Sequence, residues 1–375
     1  MKIALFGGSF DPVHNEHVRY VQAAKAALGL DRVYIIPSHI APHKAFGAAA
    51  SGADRLQMCN LAFRNLPYAE VSDYELRAAG TSYSYLTCRA FAERFPNDEL
   101  YFLVGADMLE DFFTWKNPDD ILAHATLVAC GREGENPAEF REKFFRRFGK
   151  EFISISFAGD AAASHKLRVD LAFRKPTPDL DRAVRRYIDE NRLYGHPAIA
   201  PALALEKPQR REHSYRVALM AVARARSVGV AEGKALLASA LHDCAKYVPL
   251  TSPLLEDFTP PENVPPPVMH QYTGAYLARH AFGIEDEEVL DAIRYHTSGR
   301  AGMTALGKLV FLADMLESGR SFDGVERLRE IFWKDLDGCF YEALREQTEY
   351  LAASGSRVYP LTREAYEYEK ARQNR

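Results

Sequence analysis

At 375 residues the chain exceeds one ordinary core and calls for two domains or three. Its 47% hydrophobic and 26% charged residues are those of a soluble globular protein. A formal net charge of −4 argues against a general nucleic-acid or membrane-surface binder, usually basic, and leaves small charged substrates open. The five cysteines (Cys59, Cys88, Cys130, Cys244, Cys339) are far apart, with no CxxC pair. They read as buried small hydrophobes in a reducing compartment, not as disulfides or a thiolate zinc site. The opening apolar run is too short for a signal peptide, and no run of about 18 apolar residues follows, which predicts a cytoplasmic protein.

The first predicted element, strand Ile3–Phe6, runs into Gly7-Gly8-Ser9-Phe10-Asp11-Pro12-Val13-His14-Asn15-Glu16-His17. Paired glycines after a buried strand let the backbone approach a ligand and present its N–H groups. The helix that follows aims its N-terminus at the same place, where an anion is favoured. His14 and His17, three apart at a helix start, share one face and can both reach a phosphate chain. Catalysis at such a site is positioning and charge stabilisation, with no covalent intermediate required. Further strands are expected at Val33–Ile36, Tyr101–Val104, Thr126–Cys130 and Phe152–Ile155. Helices are expected between them at Val18–Leu28, Arg55–Asn65, Tyr83–Phe95 and Ala138–Phe148. This alternation implies a parallel sheet covered on both faces, with ligands beyond the carboxyl ends of its strands.

On these residues the first half resembles the bacterial nicotinate-mononucleotide adenylyltransferases, over roughly residues 1–196. Gly7 to His14 match the family's Gly-Gly-x-Phe-Asp-Pro-x-His turn, and Pro37 to Lys44 resemble its substrate-phosphate loop. Glu75-Leu76 and Gly80-Thr81-Ser82-Tyr83 resemble the segment that holds the nicotinate. Gly105-Ala106-Asp107 look like the nucleotide-binding tripeptide, Trp115 like the aromatic stacked on the pyridine, and Tyr187 to Tyr194 like the terminal helix. The resemblance implies a Rossmann-like α/β nucleotidyltransferase fold and transfer of adenylate from ATP, carried with Mg²⁺, to nicotinate mononucleotide. Its charge-stabilising residues would be His14, His17, Lys44 and Arg168. Its substrate contacts would be Gly7, Gly8, Ser9, Phe10, Thr81, Ser82, Tyr83, Gly105, Asp107, Trp115, Arg132 and Ser164. Pantetheine phosphate or glycerol phosphate are rival acceptors, since those transferases share the His-bearing turn. Two departures stand out. Glu16 replaces the glycine between the family's histidines, and its carboxylate repels a triphosphate unless it turns outward. The phosphate-binding Ile-Ser-Ser-Thr-x-Ile-Arg motif is reduced to Ser164 and Arg168 within Ala162–Arg168.

Prolines at 197, 201 and 208 mark residues 197–208 as a linker. Beyond it strands vanish, and 211–228, 232–246, 268–282, 286–297, 303–318 and 324–350 carry helical periodicity. Residues 209–375 therefore read as an all-α domain, with a polar tail from Pro360 ending in a short fraying helix. His213, the doublet His242-Asp243, His270, His296 and Asp314 lie on these helices or at their ends. Adjacent residues on a helix project about 100° apart, so the doublet converges on one ion best near a helix terminus. Imidazole and carboxylate donors suit Fe, Mn, Zn, Co or Ni, and such a site can activate water and polarise a phosphoryl oxygen.

Leu241-His242-Asp243-Cys244-Ala245-Lys246, the Asp286 to Thr297 run and Leu312-Ala313-Asp314 with Arg320 resemble the HD superfamily, more narrowly its symmetrical diadenosine-tetraphosphate hydrolases. The resemblance spans about 205–365 and implies an HD-domain helical bundle. It implies that His213, His242, Asp243 and Asp314 bind one iron-like ion, and that His270 and His296 bind a second. Lys246, Thr297 and Arg320 would contact the polyphosphate. Diadenosine tetraphosphate would yield two ADP; a nucleoside-monophosphate phosphatase and a nucleotide-binding regulatory module are the rivals. No nucleic-acid or membrane partner is expected, and a homo-oligomer is left open.

Overall fold

The computed structural model describes residues 1–39, 49–78, 81–105, 108–131, 138–156 and 164–373. They separate into two compact units, Met1–Leu167 with Pro176–Tyr194, and Arg168–Lys175 with Gly195–Arg375.

In the first unit, β1 (Lys2–Gly8), β2 (Arg32–Pro37), β3 (Ala69–Val71), β4 (Glu99–Gly105), β5 (Thr126–Gly131) and β6 (Ile153–Ser156) form one sheet ordered β3-β2-β1-β4-β5-β6. Every strand pair is parallel. The helices α1 (Asn15–Leu28), α2 (Gly52–Phe63), α3 (Tyr74–Arg77), α4 (Ser84–Arg94), α5 (Leu109–Phe112), α6 (Pro118–His124), α7 (Ala138–Phe148), α8 (Ser164–Ala172) and α9 (Arg182–Glu190) follow in chain order. The central strands are unbroken apolar runs because both of their faces are buried. One core gathers Ile3, Leu5, Tyr34, Phe102 and Leu127 with Phe91, Phe112 and Phe144, and each such burial contributes roughly 1.5–3 kcal/mol. Strand order reverses where β1 meets β4, and the crevice at that switch point is where a ligand is expected.

The second unit is helical: α10 (Ile199–Ala204), α11 (Pro208–Ala225), α12 (Glu232–Leu241), α13 (Pro266–His280), α14 (Glu287–Arg294), α15 (Ala305–Leu316), α16 (Val325–Lys334), α17 (Leu336–Ala353) and α18 (Pro360–Gln373). Helix α15 is buried on nearly every side, as an all-round apolar helix must be. No helix among the described residues is long and apolar enough to cross a membrane.

The expected elements form, the structure adds α3, α5, α6 and α8, and four further differences stand out. Strand β3 went unread because Ala-Glu-Val is too short and polar to stand out. The stretch expected as linker contains α10, whose Ile199 and Ala202 pack into the helical core. The run 324–350 breaks at Asp335, where the backbone is extended and the carboxylate caps α17 by accepting from Gly338 N–H at 3.0 Å. The tail forms the 14-residue α18, anchored by Glu369 on the buried ammonium of Lys308 at 2.9 Å.

Candidate active sites

In the first unit, a cavity of about 590 Å³ opens at the carboxyl ends of β1 and β4. Gly7, Gly8, Ser9, Phe10, His17, Ser82, Tyr83, Gly105 and Trp115, all expected site residues, line it. The two glycines do different work. A Cβ on Gly8 would stand 3.1 Å from the Phe10 ring, whereas one on Gly7 would meet nothing, so Gly7 leaves the space open. Phe10 has φ of +48° and tucks its ring against Phe6 and His17. Buried Asp11 fixes the turn, accepting from the N–H groups of Ala49 and Ala50 and from the Tyr194 hydroxyl at 2.8 Å. Buried Arg55 adds a bond to the Ser9 carbonyl at 2.8 Å.

His14 caps α1, and its backbone N–H donates to His17 Nδ1 at 3.2 Å. That bond makes Nδ1 an acceptor and leaves the His17 proton on Nε2 as a donor. The His14 ring lies 3.8 Å from the His17 ring, and burial lowers its pKa to about 4. At neutral pH His14 is therefore an uncharged hydrogen-bonding group rather than a point charge. Glu16 turns to Arg19, 2.7 Å away, and is not among the residues that line the cavity.

Trp115 also lines the cavity, set against Phe102 and Phe112. Ser82 Oγ accepts from His39 N–H at 2.9 Å. Buried Glu75, also a lining residue, accepts from Thr87 Oγ1 at 2.6 Å, and burial pushes its carboxyl above the usual range. Thr81 is exposed and absent from the lining. Ser164 donates to the Pro12 carbonyl at 3.2 Å, beside the His-bearing turn. Arg168 is placed in the second unit, its guanidinium on the Glu232 carboxylate, and does not line the cavity. Lys44, Asp107 and Arg132 lie outside the described residues. Lys116 went unread; its ammonium sits 4.3 Å over the Tyr83 ring at the cavity edge. Its signal was its position beside Trp115.

The second unit gathers every expected ligand. Helix α12 ends at Leu241, so His242 is its C-cap and the doublet stands at a helix terminus as the projection argument required. His213 Nε2 lies 2.9 Å from Asp314 Oδ1 and 3.3 Å from His242 Nε2. Asp243 divides its carboxylate. Oδ2 is 3.5 Å from His242 Nε2, while Oδ1 is 3.0 Å from His270 Nε2 and 3.5 Å from His296 Nε2. The Nδ1 atoms of His242 and His296 are held by the carbonyls of Ser239 and Ile293, and His213 Nδ1 by Glu317. Each Nδ1 therefore carries the proton and each Nε2 turns a lone pair inward. The opposed lone pairs of His213 and His242, 3.3 Å apart, are repulsive until a cation lies between them. These donors fit a divalent metal. His213, His242 and Asp314 make one group with all donor atoms within 4.8 Å, and His242, Asp243 and His296 make another.

Electrostatics agree. Burial lowers the His242 pKa to about 3, keeping the ring neutral for ligation. Lys246 Nζ is 3.6 Å from Asp243 Oδ1, Thr297 Oγ1 3.2 Å from His270 Nε2, and Arg320 2.7 Å from Asp314. Glu317 and Arg210 went unread. Arg210, one turn before His213 on α11, places its guanidinium 2.9 Å from Asp243 Oδ2. Among the described residues, Cys59, Cys88, Cys244 and Cys339 are buried free thiols, none of them a ligand in either group.

Known proteins resemble both units. Residues 5–177 match the Cytidylyltransferase-like family and residues 210–319 match the HD domain. A Mycoplasma genitalium protein named probable nicotinate-nucleotide adenylyltransferase/Ap4A hydrolase is 30% identical over 324 residues, covering 85% of this chain and 88% of its own length. A probable nicotinate-nucleotide adenylyltransferase of Desulfitobacterium hafniense is 33% identical over 198 residues, 52% of this chain and 95% of its own. A crystal structure of a predicted HD superfamily hydrolase involved in NAD metabolism, from Clostridium acetobutylicum, aligns at 29% identity and a TM-score of 0.43, covering 47% of this chain and 96% of that one.

Proposed function

The chain belongs to the family of joined nicotinate-nucleotide adenylyltransferase/Ap4A hydrolases, and on that premise we propose that its two sites run those two reactions. In the first, a phosphate oxygen of nicotinate mononucleotide attacks the α-phosphorus of ATP in line. The bond to the β-phosphate's bridging oxygen breaks, and pyrophosphate leaves as the dinucleotide forms. His17 donates from Nε2 to the phosphate chain, with His14 behind it and Lys44 as the cation for the mononucleotide phosphate. Ser82, Tyr83 and Trp115 hold the pyridine, whose flat face suits the indole. Mg²⁺ accompanies ATP.

In the second reaction, water cleaves diadenosine tetraphosphate between its middle phosphates to give two ADP. His213, His242, Asp243 and Asp314 would hold one divalent ion, and His270 and His296, sharing Asp243, a second; iron is the metal proposed. A divalent ion bound there polarises a phosphoryl oxygen and acidifies water. Lys246 and Arg320 bind the polyphosphate charge, and Thr297 orients it. The division of the Asp243 carboxylate between two histidine groups carries this reading.

One purified chain assayed for both reactions tests the proposal. His17→Ala abolishes dinucleotide synthesis and leaves hydrolysis; Asp243→Ala does the reverse. A wild-type chain that hydrolyses nucleoside monophosphates but not diadenosine tetraphosphate would sink the second assignment.

A further inference from the structure

The two ions of the second site share Asp243 but draw their other ligands from different elements. The first takes His213 from α11, His242 from the end of α12 and Asp314 from α15. The second depends on His270 from α13 and His296 from the turn after α14. The gap between their Nε2 atoms, 3.1 Å, must therefore be set by whatever fixes that turn against α13.

Gln271, next to His270 and wholly buried, fixes it. Its Oε1 accepts from the backbone N–H of Thr297 at 3.2 Å and of Ser298 at 3.1 Å. Its Nε2 donates to Ser298 Oγ at 3.0 Å. Other bonds close the turn on itself or on α17, through Gly299 N–H to the Tyr295 carbonyl and Gln347 to the Thr297 carbonyl. Among the described residues, the Gln271 amide is what ties the turn's backbone to α13. Without it the backbone N–H groups of Thr297 and Ser298 lose their acceptor, and Ser298 Oγ keeps only its bond to the Gly299 carbonyl; a buried N–H left unpaired does not stay in place.

We propose that Gln271 is a positioning residue for the second metal ion, setting His296 and Thr297 against His270 without touching the first ion's ligands. The inference rests on the two-ion reading above. Outer partners of this kind change metal affinity on the order of 10–100-fold.

The test titrates Mn²⁺ calorimetrically into metal-stripped full-length chain. Wild type takes two ions. Gln271→Met keeps the first affinity and weakens the second ion on the order of 10–100-fold. Gln271→Glu, which still accepts from both N–H groups, recovers most of it. The milder Gln271→Asn, one methylene short of the turn, carries the same expectation should the methionine variant fail to fold. Two ions in wild type with an unchanged second affinity in the variants overturns the proposal alone, as does equal weakening of both ions. A single ion in wild type overturns the two-ion reading and this proposal with it.

Discussion

His213 and His242 point their Nε2 atoms at each other across 3.3 Å, although each ring has already committed its Nδ1 proton to an oxygen acceptor. Two lone pairs held so by separate helices store repulsion that a divalent ion converts into attraction. Binding to the folded state alone stabilises by RT ln(1 + [L]/Kd), about 2.7 kcal/mol at 100 times Kd. Mn²⁺ should thus raise the unfolding temperature of the second unit in a metal-stripped chain while leaving the first unit's transition where it was. Calorimetry with and without the ion decides this, and an unmoved second transition would refute the metal reading.

Glu317 is the outer partner of that pair. It holds His213 Nδ1 at 3.1 Å and is itself fixed by Arg216 and by the Gly319 N–H. Burial works against its charge, but these partners keep the carboxyl below its ordinary range, and it remains an acceptor. Glu317→Ala should weaken the first ion by on the order of 10–100-fold, and Glu317→Gln by less, since an amide oxygen still accepts. Competition with a metal-chelating dye measures it; equal affinities for all three proteins would remove Glu317 from the site.

The first unit should lose stability in acid through His14. Its folded pKa, about 4, lies below the ordinary 6.5. Between those values the unfolded chain binds a proton that the folded chain refuses. Stability therefore rises with pH across that window by ~1.4 kcal/mol per unit, is fully present above about 6.5, and is lost on acidification toward 4. In His14→Gln the slope of the first transition between pH 6.5 and 4.5 should flatten by about that amount per unit. Identical slopes in variant and wild type would show that His14 takes its proton freely in the folded state.

Much of this was legible in the sequence because it rests on local pattern. Apolar runs such as Ile3–Phe6 announce parallel strands, and the doublet His242-Asp243 after an apolar helix announces a ligand pair. Partners distant in the chain were not legible. Nothing near Glu317 in sequence says that it orients His213, 104 residues before it, nor that Asp11 waits for the Tyr194 hydroxyl 183 residues on. Short elements escaped for another reason. Strand β3 and helix α10 draw their stability from neighbours, so their own sequences carry little signal.

Trp115 makes a wall of the first cavity and keeps one side packed on Phe112. An aromatic stack contributes about 0.5–1.5 kcal/mol beyond area, so Trp115→Ala should raise KM for nicotinate mononucleotide roughly 2- to 13-fold or more, with kcat less affected. Trp115→Phe should recover most of the loss. A fall in kcat with KM unchanged would assign the ring to packing alone.

Arg168 belongs to the second unit. A phosphate role was expected for it, yet it is nearly buried with its guanidinium on Glu232, which Arg226 also pairs. Val169, its neighbour on α8, packs into the helical core, so the arginine is carried into the second unit by the helix it stands on. Arg168→Ala leaves Glu232 with one cation and should destabilise the second unit by on the order of 1–3 kcal/mol. KM for ATP should then stay within about threefold of wild type, as for a site without a shared partner. Lys at this position keeps the charge but not the fork, and should fall between the two in stability. A tenfold or larger rise in KM for ATP with an unmoved second transition would return Arg168 to the triphosphate.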